Sequence, residues 1–175
     1  MLLPTIKNEC SQFLSESNNL PLLKNLPVNN DGFRKVKVRI KRKRNIVIES
    51  FNRSFSEHKE LFQRAIFANG EASFTPSNDS NLEPFYIFPI NGYKFIYNPI
   101  VENAHANYHT AVNDLLKVVP SYDVAVDMFS KIIKSSYTNE NMPEGIKSGA
   151  ELVLFNIPYY YAIRKTIVDD YNRLV

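Results

Sequence analysis

Tryptophan is absent, cysteine occurs once and glycine five times in these 175 residues, and each scarcity removes a class of chemistry. Cys10 by itself forms no intramolecular disulfide and no multi-cysteine zinc or iron–sulfur site within one chain, so a reducing compartment is expected. Five glycines leave no Gly-rich loop of the phosphate-cradling kind, and no motif calls for a cofactor. No apolar run approaches the roughly 18 to 20 residues that span a bilayer. Pro4 interrupts the opening residues 1–6 before a secretory core could form. The expectation is a cytoplasmic protein, neither secreted nor in a membrane.

What is present is globular in kind. Hydrophobic residues make up 44% and charged residues 22%, which argues for a packed core over a disordered tail. The length suits one domain. The net charge of +3 hides an asymmetry, because eight of the 21 bases fall in residues 34–44 with no acid among them, leaving 13 bases against 18 acids elsewhere.

The first 33 residues read as an arm docked on a main domain of residues 34–175. A short helix around residues 6–14 is followed by the punctuation of Asn18, Asn19, Pro21, Pro27 and Gly32. Leu20, Leu22, Leu23 and Leu26 are too apolar for a free linker, so they are expected to dock on the body or on a neighbouring subunit. From Lys35 the pattern alternates strictly, with Val36, Val38 and Ile40 on one face and Lys35, Lys37, Arg39 and Lys41 on the other, which is a half-buried strand. Arg42, Lys43 and Arg44 prolong the charge. Asn45 then caps a helix in which Val47, Phe51 and Phe55 recur every fourth residue.

Two Asn-Gly pairs, Asn69-Gly70 and Asn91-Gly92, lie between apolar or aromatic runs and predict two β-hairpins. Residues 75–84 form a polar loop between them. Beyond Pro99 the period becomes helical. Val112, Leu115, Leu116 and Val119 predict one helix ended by Pro120, and Val124, Met128, Ile132 and Ile133 predict a second with Ser121 as its cap. Residues 138–149 read as loop. Residues 151–164 read as a β-rich run in which Pro158 demands an edge or bulge, and Thr166 as the cap of a short terminal helix. The fold class is α+β, an antiparallel or mixed sheet with two consecutive helices on one face.

The basic segment carries the strongest functional signal. Lys35, Lys37, Arg39, Lys41, Arg42, Lys43 and Arg44 could neutralise the phosphates of DNA or RNA with strong salt dependence. The alternative is that they guard an edge strand or match an acidic protein surface. Residues 91–97 partly resemble the aromatic strand of an RNA-recognition motif, although Tyr93, Phe95 and Tyr97 suit a buried sheet equally well. His105 and His109 lie four apart as in a metal site, but Ala106 stands where a zinc protease needs its Glu and no third ligand is near, so no metal is expected.

Glu151-Leu152-Val153-Leu154-Phe155 followed by Tyr159-Tyr160-Tyr161 resembles the catalytic-glutamate strand of ADP-ribosyltransferases. That resemblance implies a Glu151 supporting attack at an NAD ribose, with an upstream Arg and a Ser-Thr-Ser strand. This chain has no Ser-Thr-Ser, and Gly149 stands where many members carry Glu or Gln. The chain as a whole is rich in Asn, Lys and Tyr and lacks Trp, and in this style it resembles small proteins of large, T4-like tailed bacteriophages. That resemblance implies a virion neck or tail subunit, or an accessory protein acting on nucleic acid. The leading expectation is therefore a non-enzymatic assembly subunit with protein partners, and the alternative a nucleic-acid-binding accessory protein.

Overall fold

A computed structural model describes residues 2–40, 45–58, 61–100, 104–168, 171 and 175, with the side chains at 2, 58, 61, 62, 104–106 and 109 outside that set. The chain is α+β. Among the described residues the strands form one antiparallel sheet of seven, in the order β2-β7-β4-β1-β3-β6-β5. They are β1 (Leu22–Pro27), β2 (Phe33–Lys37), β3 (Ile66–Gly70), β4 (Leu82–Pro89), β5 (Lys94–Tyr97), β6 (Glu151–Phe155) and β7 (Tyr159–Arg164). The helices are α1 (Leu2–Glu9), α2 (Ser11–Glu16), α3 (Ile46–Ser54), α4 (Ala104–Val118), α5 (Tyr122–Ser136) and α6 (Met142–Lys147).

The sheet is curled. Strands β6 and β7 stand four places apart in the order, about 19 Å in a flat sheet, yet only residues 156–158 join them, a link that spans about 14 Å fully extended. Strands β4 and β5 are likewise four places apart with a link of 90–93. The order is therefore bent into an incomplete barrel. One core fills its inside, with Leu22, Ile66, Phe85, Ile87, Leu152, Leu154 and Ala162, and takes in Ile6, Cys10 and Phe13 of the N-terminal helical segment. A second core lies under α3, α4 and α5, where Phe67, Ile96, Val153 and Phe155 of the sheet meet Val47, Phe51, Val112, Val126, Phe129 and Ile133.

Neither predicted hairpin forms, since β3 pairs with β1 and β6, and β5 pairs with β6. Asn91-Gly92 does turn the chain, with Gly92 at φ 91°, but the turn carries it across the mouth of the curl. There α1 and α2 hold it: the Asn91 N–H donates to the Glu9 carbonyl at 2.7 Å, and the Gln12 N–H to Asn91 Oδ1 at 2.9 Å. Gly70 serves close approach, because a Cβ there would stand 2.2 Å from the Ile146 carbonyl oxygen of α6. That helix occupies part of the expected 138–149 loop and opens with Pro143 in its first turn, a position where the missing N–H costs nothing. Pro158 falls in the link between β6 and β7, outside both strands. Thr166 lies inside a 3-10 turn, Lys165–Ile167, and does not cap it.

The caps read from sequence are in place. Asn45 Oδ1 accepts from the Ile48 N–H at 3.1 Å, and Ser121 Oγ from the Val124 N–H at 3.4 Å. On α5, however, the buried apolar residues are Ala125, Val126, Phe129 and Ile133, and Val124, Met128 and Ile132 are exposed at 37%, 45% and 51%. No described helix is long and apolar enough to cross a membrane.

Candidate functional site

The basic segment begins on an edge strand. Among the described residues β2 pairs only with β7, from Phe33 opposite Ile163 to Lys37 opposite Tyr159, and the Val38 N–H adds one further bond to the Pro158 carbonyl at 2.9 Å. The strand ends sooner than the alternation predicts. Ile40, expected on the apolar face, is 45% exposed. Lys41, Arg42, Lys43 and Arg44 lie outside the described residues.

Its first two cations are occupied within the fold. Arg34 lays its guanidinium 4.4 Å from the Phe85 ring centroid and donates to the Pro27 carbonyl at 2.8 Å. Lys35 sets its ammonium 3.5 Å from the centroid of Tyr159, a cation–π contact. The hydroxyl of Tyr161, together with that of Tyr159 and the charge of Lys35, holds the nearby Glu9 carboxyl below the usual range against a smaller opposing effect of burial. Charge that the sequence leaves open to an anion is here spent on rings, a carbonyl and one carboxylate.

Lys37 and Arg39 are different. Both are exposed, and they border a depression of about 450 Å³ whose other described walls are Val38, Ile40, Arg64 and Pro158. It runs into a recess of about 200 Å³ that shares Lys37, Val38 and Arg39 and reaches Lys24, Ile66, Phe67 and Tyr160. No acid lines either space among the described residues. Lys24 donates its ammonium to the Phe67 carbonyl at 2.8 Å, whereas Lys37, Arg39 and Arg64 have no ion pair among the described residues. Three solvated cations over an apolar floor create a local field that an incoming anion lowers. Two are guanidinium groups able to grip a phosphate through paired N–H donors.

Arg64 was not legible as a partner. It enters from a 3-10 turn after α3, Leu61–Arg64, and only the curl of the sheet brings that turn beside β2.

The remaining expected sites lie elsewhere. Leu22 and Leu23 are fully buried, Leu26 nearly so, and Leu20 packs against the same core. Leu22, Leu23 and Leu26 thus dock on the body of this chain, in the central strand β1 of its own sheet, with Leu20 packed beside them. Tyr93 and Tyr97 are buried and Phe95 is half-buried against them, so the three do not form an open platform of alternating rings for bases. The side chains of His105 and His109 fall outside the described residues.

Glu151 starts β6 opposite Asn69 and is 7% exposed. It borders a cleft of about 390 Å³ with Lys24, Asn25, Asn69 and Ser73. The cleft exists because β1 and β3 pair only at Leu22 with Gly70 and Leu23 with Asn69 before parting. Its described lining contains no arginine to hold a dinucleotide.

Against known proteins, the chain matches no family model, no curated protein and no solved structure.

Proposed function

We propose that the chain binds a phosphate polyanion, the backbone of DNA or RNA, as an accessory protein. The observation that supports this reading is the acid-free groove bordered by Lys37, Arg39 and Arg64. Contacts of this kind go to phosphates and not to base edges, so affinity would be largely blind to sequence and steeply dependent on salt. The segment 41–44 adds four bases to the same stretch of chain.

Titrating labelled single- and double-stranded DNA and RNA at several salt concentrations tests it. Replacing Lys37, Arg39 and Arg64 together with Ala is expected to flatten the slope of log affinity against log salt by about two to three, near one per lost contact. A triple variant with unaltered affinity and slope would sink the proposal. Lys147→Ala, exposed on α6, serves as the control for loss of a surface charge away from the groove.

A second reading, an assembly subunit, is favoured by the exposed stripe of Val124, Met128 and Ile132 on α5. The tailed-phage resemblance would place such a subunit in a virion. Solution mass measured across concentration tests it.

A further inference from the structure

A cavity of about 540 Å³ lies against β5 at the edge of the sheet opposite β2, and neither reading above uses it. Its walls include Phe55, Phe95 and Tyr137 together with two acids, Glu16 and Glu57, and one base, Lys94. Glu16 accepts from the Tyr93 hydroxyl at 2.5 Å, and Glu57 is exposed.

The hydrogen-bond phase of β5 is fixed by one bridge. The Tyr97 N–H donates to the Thr138 carbonyl at 2.9 Å, and the Thr138 N–H returns to the Tyr97 carbonyl at 3.0 Å. Both polar groups of Tyr97 thus point away from β6. In an antiparallel ladder alternate residues share a side, so Ile96, opposite Val153, bonds to β6 and Phe95 points its N–H and C=O outward with Tyr97. The row that Thr138 opens on the outer side is not continued, because the chain bends away at Glu140 toward α6. Among the described residues, Phe95 therefore presents an unfilled donor and acceptor to a cavity walled by aromatics, by two acids and by Lys94.

An exposed strand edge with this pattern is a template for one more strand. We propose that β5 receives an extended, cationic peptide segment of a partner protein, which continues the row begun by Thr138. Its backbone meets the N–H and C=O of Phe95, one side chain packs on Phe55 and Tyr137, and its neighbour turns a base toward Glu16 and Glu57. Main-chain bonds supply the hold and the alternating side chains the choice of partner. The acids select a basic segment over an acidic one.

Amide exchange with two capped hexapeptides, one alternating Lys and Val and the other Glu and Val, tests this. In the free protein the Ile96 amide is expected to be protected and the Phe95 amide to exchange freely. Saturation with the Lys peptide should protect Phe95, and the Glu peptide should not. Phe95→Pro removes the outward N–H together with the ring, at an edge position where a proline is tolerated, and should abolish Lys-peptide binding, whereas Phe95→Leu, which loses the ring but keeps the N–H, should retain it. Glu57→Gln should weaken it about two- to fivefold, the range of one exposed charge pair. Protection of Phe95 without any peptide, an equal response to the Glu peptide, or no change at Phe95 with the Lys peptide would each overturn the proposal. These readouts use the unaltered chain, so they decide the matter even if the proline variant fails to fold.

Discussion

Gly70 shows how a single residue type carries two meanings. Asn-Gly commonly marks a hairpin because it accepts positive φ, but at Gly70 what matters is the missing side chain, which lets Ile146 of α6 close on β3. Gly70→Ala is therefore expected to push α6 off the sheet at a cost of about 2 kcal/mol. Thermal melting should show this as a fall of roughly 4–8 °C for a chain of this size; an unchanged melting temperature would refute the close-approach account. The caps at Asn45 and Ser121 were legible because a cap depends on the next three residues alone. The fate of Arg34 and Lys35 was not, since Phe85 and Tyr159 reach them only through pairing between distant strands.

The N-terminal helical segment is fastened to the sheet partly by charge. Glu9 Oε2 accepts from the Tyr161 hydroxyl at 2.7 Å and from Tyr159 at 3.1 Å, and its carboxyl titrates below the usual range with Tyr161 as the main cause. A carboxylate depressed in the folded state stabilises above its unfolded pKa, and that contribution is lost as pH falls through the folded value. Tyr161→Phe should therefore lower the melting temperature at neutral pH, and the gap to the unaltered chain should close in acid, as the pH falls through the depressed folded value. A gap that persists in acid would mean that packing, not the ionised carboxyl, carries the effect. On α5 the periodicity contained two apolar ridges, and sequence cannot choose between them. The choice is made by α3, whose Ser54 hydroxyl donates to the Ser130 carbonyl at 2.7 Å and whose Arg53 pairs with Asp127 at 2.5 Å. It seats the ridge of Ala125, Phe129 and Ile133 inward and leaves the other outside.

At the scale of the molecule that outer ridge is the feature most suited to self-association, since Val124, Met128 and Ile132 follow one another every fourth residue along one face. If the chain assembles through it, light scattering should report a mass that rises with concentration, and Met128→Lys should return it to that of one chain. The lysine sits at an exposed position, so stability should move by no more than about 0.5 kcal/mol. A mass independent of concentration in the unaltered chain, at high concentration and low salt, would remove the assembly reading. The α+β class was legible because alternating and helical periods occupy separate stretches. The strand order was not, because a turn signal says where the chain reverses and not which strand it will lie beside. The groove was half legible: Lys37 and Arg39 stood out by charge density, and Arg64 joined them only through the curl.

That strand order also sets a sequence in time. Among the described residues β2 pairs with β7 alone, and Phe33 waits for Ile163, so the strand that carries the first bases of the run is made early and paired late. Contacts between such distant positions must repay a large loss of chain entropy before they stabilise anything, which slows folding. Until β7 is in place β2 has no strand to pair with, and its bases sit on an unpaired, positively charged segment. During that interval a polyanion could act on folding itself, capturing the run before the sheet has closed around its base.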